Sequence, residues 1–280
     1  MENQATSTIK MNIEAPVERV WRYLSTPAGW NDFLSDIATH TRGKDSIELG
    51  DQVQFVIGEL SYQATCIKWE KPYIIGFQEQ YKAMFPNGDN WSYELQTSFL
   101  LRSLGCNTEV VVDVCGFHRD NIMQWVRECG EMGWRQSLFN LKCVIELGLD
   151  LRNEIFNYPR LGVFNQTAGQ QLLSQHGIRE GGNVLHKVYP NSPAALAGLQ
   201  DGDIITQIDG EPVPTYKDFV RVLSRFYRKN GQARIEFFRD GHRQVTIAHL
   251  TYDDRFTGMI DPTQISLEDV AEQRRKASDA

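Results

Sequence analysis

The residues that could hold a metal ion in this 280-residue sequence do not stand at the spacings that metal sites need. No pair of its six histidines forms the His-Glu-x-x-His pattern, in which two imidazoles on one helix face bind zinc. The acidic turn Asp201-Gly202-Asp203 has the composition of a calcium loop, but its sixth position is Thr206, where such a loop requires glycine. We therefore expect neither a metal site nor any other cofactor. The histidines are His40, His118, His176, His186, His242 and His249.

Nucleophilic and acid–base chemistry also lacks a clear setting. No serine stands in the Gly-x-Ser-x-Gly turn that exposes a nucleophile, and no glycine-rich loop is placed to cradle phosphate. Two carboxylates, Asp113 and Glu94, could act as a general acid or base if they faced an internal cavity. The alternation around Glu94 puts its side chain on the outer face of a strand, which favours plain surface charge. The sequence thus predicts no catalytic residue and a protein that is not an enzyme.

The five cysteines indicate a reducing compartment. Their number is odd, no two stand as Cys-x-x-Cys, and most lie in apolar periodic stretches, which is typical of small buried hydrophobic residues. Residues 1–10 are polar, unlike a signal peptide, and no stretch reaches the roughly 18 apolar residues that span a bilayer. We therefore expect a cytoplasmic protein with no membrane span. The cysteines are Cys66, Cys106, Cys115, Cys129 and Cys143.

The distribution of charge argues against nucleic acid as a partner. The formal net charge is −7, from 29 Lys and Arg against 36 Asp and Glu. Residues 1–155 carry 14 basic and 21 acidic side chains, whereas 156–280 carry 15 of each, so the acidic excess lies in the first half. Binding to a phosphate backbone needs a basic surplus, which neither half has. The length and the 41% of hydrophobic residues favour two domains over one.

Hydrophobic periodicity predicts an α+β first half. Ser7–Glu14 alternates like a half-buried strand, and Ala15-Pro16 starts the first of two short amphipathic helices. A meander of antiparallel strands follows, with one face that needs a cover. A run of about thirty residues without proline, Asp120–Leu149, then predicts one long covering helix, which Gly130 and Gly133 weaken. The predicted strands are Asp51–Ile57, Leu60–Trp69, Tyr73–Tyr81, Asn90–Arg102 and Thr108–Phe117.

This element order resembles the START-like (SRPBCC) superfamily. The residues that carry the resemblance are Ile13-Glu14-Ala15-Pro16-Val17-Glu18-Arg19-Val20-Trp21, Gly133-Trp134, Leu138, Leu141 and Glu146-Leu147-Gly148. Within the superfamily the sequence is most similar to the activators of the heat-shock ATPase, over a domain at 1–152. The resemblance implies a helix-grip fold, in which a curved antiparallel sheet wraps around a long C-terminal helix. It also implies a hollow between sheet and helix that an apolar small molecule can fill.

The side chains that would line this hollow lie on the predicted strand Asn90–Arg102 and on the long helix. They are Tyr93, Leu95, Phe99, Trp134, Leu138 and Leu141. The alternative is that these aromatic and aliphatic side chains simply fill the core, as stripes at strand and helix spacing commonly do.

The second half is organised around the stretch Asn191–Gly210. Ser192 can cap a one-turn helix that begins at Pro193, and Gly198 is placed to end it in the left-handed conformation. A polar turn, a short β-branched strand and a hairpin turn follow. These are Asp201-Gly202-Asp203, Ile204–Ile208 and Asp209-Gly210.

Together with Leu161-Gly162-Val163 and Arg239-Asp240-Gly241, these motifs resemble a PDZ domain of the bacterial HtrA-like type at 160–252, after a linker at 153–159. The resemblance implies a small β-barrel with two to three helices. It also implies a groove in which the C-terminal peptide of a partner adds as a strand, while a loop offers backbone N–H groups to its carboxylate. The polar residues 253–280 are expected to form a mobile tail, although Leu267–Arg275 could form a helix against a partner.

The implied peptide-binding residues lie in the loop and on the helix Tyr216–Tyr227. They are Arg160, Leu161, Gly162 and Val163 in the loop, and Tyr216, Val220 and Leu223 on the helix. A second helix stripe, Phe219, Val222 and Phe226, then serves the core, unless both stripes are core. We expect Gly162→Glu to abolish peptide binding and leave the fold intact. The long stretch Phe164–Glu180 could partly cover the groove.

The sequence therefore predicts a non-enzymatic binding protein with two modules. The START-like domain would hold an apolar ligand or a client protein, and the PDZ domain would recruit a partner by its C-terminus. One alternative is an enzyme that uses the START-like cavity for cyclisation or hydrolysis, which needs a polar residue pointing inward. Another is a co-chaperone that activates a heat-shock ATPase, which rests on the resemblance alone.

Overall fold

A computed structural model of the protein describes residues 5–227 and 231–278. The chain divides into two compact units, each made of segments that are not contiguous in sequence. The first consists of Met1–Arg119, Gly130–Phe156 and Gly258–Arg275, and the second of Asp120–Cys129, Asn157–Thr257 and Lys276–Ala280. The predicted domain boundaries, 1–152 and 160–252, stay predictions.

The elements up to residue 156 follow the order predicted for the first half. The long helix, Asn121–Leu147, is continuous through Gly130 and Gly133, where a weakening was expected, and its residues up to Cys129 are counted in the second unit. The elements are β1 (Ala5–Ile13), α1 (Val17–Leu24), α2 (Pro27–Phe33), β2 (Ile37–His40), β3 (Gln52–Ile57), β4 (Leu60–Glu70), β5 (Ile74–Met84), β6 (Asn90–Leu104), β7 (Asn107–Phe117), α3 (Asn121–Leu147) and α4 (Arg152–Phe156).

Seven strands of the first unit form one sheet in the order β1-β7-β6-β5-β4-β3-β2. Every neighbouring pair is antiparallel. In β6 the side chains of Leu95, Thr97 and Phe99 are buried, while those of Glu94 and Gln96 are exposed. The period of two thus gives the sheet an apolar face and a polar face, which confirms the predicted architecture of antiparallel sheet and long helix.

The core of the first unit is centred on Trp30, which is 2% exposed. Helix α2 positions it, with Pro27 in the first turn and the Thr26 hydroxyl accepting a hydrogen bond from the Gly29 N–H at 3.0 Å. A Cβ at Gly29 would overlap the backbone of Tyr23, so only glycine fits there. The Trp30 ring contacts the rings of Phe33, Phe55, Phe77, Phe99 and Trp134, at centroid distances from 5.3 to 6.5 Å.

The second unit contains an open sheet and several short helices. Its elements are β8 (Val163–Thr167), α5 (Gln170–Gln175), β9 (Asn183–Val188), α6 (Pro193–Leu196), β10 (Ile204–Ile208), β11 (Glu211–Pro212), α7 (Tyr216–Ser224), β12 (Gln232–Arg239), β13 (His242–His249) and α8 (Asp254–Thr257). The strand order is β13-β12-β10-β9-β8, with β11 paired to β10. Among the described residues the strands do not close into the small barrel that the resemblance implied, so β8 and β13 lie at edges.

The stretch that organises the second unit folds as predicted. The Ser192 Oγ accepts a hydrogen bond from the Ala195 N–H at 3.1 Å to cap α6, and Gly198 has a φ of +78°. In the acidic turn, the carboxylate of Asp203 is buried and accepts hydrogen bonds from Nε and Nη2 of Arg239, at 2.8 and 2.7 Å. This carboxylate is therefore satisfied by an arginine and has a structural role.

The end of the chain, where a mobile polar tail is predicted, contains helix α8 and a longer helix, α9 (Leu267–Ser278). In α9, Val270 and Ala271 are buried against Met84. Arg274, whose side chain is 2% exposed, forms an ion pair with Glu59 at 2.6 Å. The predicted helix at Leu267–Arg275 is thus present, and it covers part of the first unit.

Candidate peptide-binding groove

The loop Arg160–Val163 precedes the edge strand β8. Its carbonyl groups are held in place, since Leu161 accepts a hydrogen bond from the Ala194 N–H at 2.9 Å and Gly162 accepts one from the Tyr189 N–H at 3.2 Å. Across the described residues, no turn or loop hydrogen bond between backbone groups has the N–H of Leu161 or Gly162 as its donor. The loop therefore has backbone donors to offer to an anion such as a terminal carboxylate.

Gly162 has a φ of +74°, the left-handed region that favours glycine. A Cβ at this position would overlap the Cβ of Ser192 and would lie 3.2 Å from ring carbons of Phe256. The expectation that Gly162→Glu leaves the fold intact is therefore wrong, because any side chain there disturbs the loop. A loss of binding in that variant would not show where a peptide binds.

Arg160 anchors the start of the loop. Its backbone forms two hydrogen bonds with Thr251, at 2.7 and 3.0 Å. Its guanidinium lies 3.3 Å from the centroid of the Tyr158 ring and donates to the Tyr158 carbonyl at 2.7 Å. The positive charge is thus kept beside the loop by contact with an aromatic face.

Strand β8 and helix α7 form the two walls of the candidate groove. They meet at one end, where the Tyr216 N–H donates to the Thr167 Oγ1 at 2.9 Å. The Thr215 hydroxyl caps α7 by accepting a hydrogen bond from the Asp218 N–H at 3.2 Å, which fixes where the helix begins. On its other side β8 pairs with β9, so its remaining edge is the one that a peptide strand would join.

Both apolar stripes of α7 are buried. Phe219 and Val222, assigned to the core, are 4% and 2% exposed, and Val220 and Leu223, assigned to the groove, are 4% and 1% exposed. Tyr216 is half-buried. Burial thus does not distinguish the residues assigned to the groove from those assigned to the core. The assignment of Tyr216, Val220 and Leu223 to the groove stays a prediction.

Segment 121–129, the first residues of α3, lies along the free edge of β8. No sequence pattern predicted this arrangement. The Gln124 Nε2 donates to the Thr167 carbonyl at 3.2 Å, and the Thr167 N–H donates to the Glu128 Oε2 at 2.9 Å. The Trp125 ring packs edge-on against Phe164, with centroids 5.2 Å apart. The helical spacing of these residues is visible in the sequence, but nothing in it identifies β8 as their partner.

In the first unit, the six side chains predicted to line a ligand hollow differ in exposure. Four of them are buried, namely Leu95, Phe99, Leu138 and Leu141. Tyr93 and Trp134 are half-buried. The rings of Phe99 and Trp134 lie 5.2 Å apart, and both contact Trp30. This packing is compatible with the core interpretation, and their role as ligand contacts stays a prediction.

Glu79, a polar residue on the inner face of the sheet, was not predicted from the sequence. Glu79 on β5 is 3% exposed, and its Oε2 accepts hydrogen bonds from the hydroxyls of Thr97 and Tyr81, at 2.6 and 3.1 Å. Burial raises the pKa of the Glu79 carboxyl to about 7, although both hydroxyls oppose the shift. The alternation of Ile75, Phe77, Glu79 and Tyr81 along β5 is the signal that could have revealed it.

The inner face of the sheet also carries an aromatic row, made of Tyr62, Tyr81, Tyr93 and Trp91. Successive rings stack with centroids 4.5, 4.8 and 4.5 Å apart. They come from β4, β5 and β6, which are neighbours in the sheet. The row is therefore a stack with buried rings, Tyr62 and Tyr81, at one end and half-buried rings, Tyr93 and Trp91, at the other, and its Tyr81 hydroxyl contacts the Glu79 carboxyl group.

Three other expectations concern metals, membranes and cysteines. Across residues 5–227 and 231–278, no group of three or more His, Cys, Asp or Glu side chains is arranged to hold a metal ion. No helix in the described part of the chain is long and apolar enough to cross a membrane. All five cysteines are free thiols, of which Cys66 and Cys143 are buried and Cys106 is exposed.

The match to a known family profile lies in the second unit. A sequence profile of the PDZ domain matches residues 186–227. A probable periplasmic serine endoprotease DegP-like protein of Pseudomonas putida (strain W619) is 28% identical over 123 residues, or 41% of this chain. The match spans 26% of the length of that relative.

Two solved structures resemble separate parts of the chain. The Aha1 dimer of Colwellia psychrerythraea is 17% identical, with a TM-score of 0.41 over 51% of this chain and 98% of that chain. The HtrA3 PDZ domain bound to a phage-derived ligand (FGRWV) is 22% identical, with a TM-score of 0.28 over 33% of this chain and 85% of that chain. The profile match begins within β9 and includes α7, so it covers one wall of the candidate groove and leaves the loop Arg160–Val163 and strand β8 outside. The second half of this chain contains a PDZ domain.

Proposed function

We propose that the protein is a two-module binding protein, in which the PDZ domain binds the C-terminal peptide of a partner and the first unit holds an apolar ligand or a client protein. The observation that supports peptide binding most directly is the loop Arg160–Val163, where Gly162 has a φ of +74° next to the edge strand β8. This arrangement supplies a strand edge for the peptide backbone and N–H groups for its carboxylate.

A peptide array tests the PDZ part of the proposal without altering the protein. Peptides with a free C-terminal carboxylate are compared with the same peptides amidated at the C-terminus. We expect roughly tenfold weaker binding of the amidated forms, because the amide removes the charge that the loop would recognise. Equal binding of both forms, or no peptide that exceeds its scrambled control, would contradict this part of the proposal.

For the first unit, the proposal rests on the aromatic row on the inner face of the sheet. Tyr93 and Trp91 are half-buried, so one end of the row is within reach of an incoming molecule. Native mass spectrometry of the purified protein should show a retained small molecule as added mass. A mass equal to that of the bare chain, both as purified and after incubation with mixed fatty acids, would contradict the small-ligand part of the proposal.

A second candidate function is supported by Glu79. An enzyme that uses the interior of the first unit for cyclisation or hydrolysis needs an inward-pointing polar group, and this buried carboxyl can serve as a general acid or base. Turnover that survives Glu79→Gln would exclude this role.

Co-chaperone activity rests on the sequence resemblance alone, and an unchanged ATPase rate on adding the protein to a heat-shock ATPase would exclude it.

The proposal includes a cytoplasmic location. It is supported by the five cysteines, all of which are free thiols, because paired cysteines are favoured in oxidising compartments. The Pseudomonas putida relative is described as periplasmic, so the location needs its own test. Cell fractionation should recover the full chain in the cytoplasm, and recovery from the periplasm would contradict this part.

A further inference from the structure

Within the second unit, the edge of β8 that a peptide would join is already in contact with another part of the chain. The Thr167 N–H donates to the Glu128 Oε2 at 2.9 Å, and the Thr167 carbonyl accepts from the Gln124 Nε2 at 3.2 Å. An added antiparallel strand binds an edge residue through this same pair of N–H and C=O groups. At Thr167, therefore, the side chains of Glu128 and Gln124 form the two hydrogen bonds that the backbone of a bound peptide would form.

Two more contacts extend this cover along β8. The Gln166 Nε2 donates to the Asn121 Oδ1 at 3.2 Å, and the Trp125 ring packs on that of Phe164. The four helix residues that contact β8 stand at positions i, i+3, i+4 and i+7, the spacing of a single helix face. Segment 121–129 thus follows β8 from Phe164 to Thr167 with one continuous surface.

The same segment reaches the other wall of the groove at its last residue. The Cys129 Sγ lies 2.8 Å from the Oη of Tyr216, which is the first residue of α7. Burial raises the pKa of the Cys129 thiol to about 12 and raises the pKa of the Tyr216 phenol well above its ordinary value. Both residues are half-buried, and segment 121–129 contacts both β8 and α7.

We propose that segment 121–129 is an internal ligand of the PDZ groove, which the C-terminal peptide of a partner has to displace from the edge of β8. This inference rests on the proposed peptide-binding function and adds its regulation. The apparent affinity for a peptide is then the intrinsic affinity multiplied by the fraction of chains whose edge is open. The fitting peptide bonds the backbone of Thr167 and places an apolar side chain on Phe164, as Trp125 does.

The test removes both side-chain bonds to Thr167 in the full chain, with Gln124→Ala and Glu128→Ala combined. Alanine favours the helix, so the segment stays helical. The control is Ile122→Ala, at a residue that is 39% exposed and lies outside the face that contacts β8. Two quantities are measured in each protein: amide hydrogen exchange at Thr167 without peptide, and the calorimetric affinity for the tightest-binding peptide of the array.

In the double variant we expect Thr167 to exchange roughly tenfold faster and the peptide to bind about fivefold tighter, with neither change in the control. Exchange is read without peptide, so a chain that binds no peptide but shows faster exchange supports the internal contact while the proposed peptide binding fails. Unchanged exchange at Thr167 would overturn the inference. Faster exchange with no gain in affinity for a peptide that does bind would also overturn it.

Discussion

The Ser192 side chain lies so close to Gly162 that a Cβ on the glycine would overlap it. Ser192 is fully buried, and its Oγ caps α6 through the Ala195 N–H. One serine therefore fixes the beginning of a helix and also restricts the shape of the loop that offers backbone donors to a peptide. The motif that marks the PDZ domain in the sequence thus supports its candidate binding loop directly.

Gly162→Ala should destabilise the protein more than Gly198→Ala. Both glycines have a positive φ, +74° and +78°, so each substitution costs about 1 kcal/mol for backbone strain. Only at position 162 does the new Cβ meet neighbouring atoms, since nothing lies within 4 Å at position 198. We expect a further loss of about 1–3 kcal/mol in the free energy of unfolding at position 162, measured by urea denaturation. Equal losses would show that the loop relaxes freely.

The buried ion pair between Asp203 and Arg239 should matter more than the exposed pair between Lys187 and Asp201. The Asp203 side chain is 1% exposed and that of Arg239 is 25% exposed, whereas those of Lys187 and Asp201 are 54% and 50% exposed. Arg239→Met leaves a buried carboxylate without its charge partner and should cost about 2–3 kcal/mol, and Lys187→Met under about 0.5 kcal/mol. Scanning calorimetry measures both, and a loss for Lys187→Met as large as that for Arg239→Met would contradict this prediction.

Glu79 should make the stability of the protein depend on pH. Its carboxyl has a pKa of about 7 in the folded chain against an ordinary value of 4.5, so the folded state retains a proton that the unfolded chain has lost between these values. The free energy of unfolding should therefore fall as the pH rises through this window, by about 2–3 kcal/mol.

Glu79→Gln is the variant that isolates this effect, because its amide stays neutral at every pH. The difference in the free energy of unfolding between about pH 5 and about pH 8, from urea denaturation, should be smaller in the variant by about 2 kcal/mol. Other titrating groups are shared by both proteins and cancel in the comparison. The same pH dependence in both proteins would show that Glu79 is ionised in the folded state.

Trp30 should be the aromatic residue of the first unit that is least tolerant of substitution. Its indole N–H donates to the Leu24 carbonyl at 2.9 Å, and its ring contacts five other rings. Trp30→Phe removes that donor and leaves part of the core empty, which should cost about 3 kcal/mol. Trp91→Phe, at a half-buried position, should cost under about 1 kcal/mol. Urea denaturation compares the two, and similar losses would show that the core repacks around the smaller ring.

Features that depend on neighbours in sequence were predictable. Ser192 caps α6, and Gly198 follows it in the left-handed conformation, because capping acts within a few residues. The alternation of β6 identified its buried face in the same way. The long helix was predicted to within two residues at each end, although glycines at positions 130 and 133 were expected to weaken it.

Features that depend on tertiary pairing were not predictable. Glu128 and Thr167 are 39 residues apart, and their hydrogen bond needs a helix face and a strand edge to be brought together, which no local period encodes. The open sheet of the second unit depends in the same way on which strands stay unpaired. Glu79 lies between these cases, since the phase of β5 turns it inward but its chemistry depends on hydroxyls of Tyr81 and Thr97.

Because the rings of the aromatic row stack within 5 Å of one another, their electronic transitions couple. A set of chromophores held in a fixed chiral order produces a near-ultraviolet circular dichroism signal. The row spans β4, β5 and β6, so this signal reports whether those three strands remain paired. The first unit thus carries an intrinsic optical reporter of its own integrity, and a molecule that settles on the row changes the spectrum without any added label.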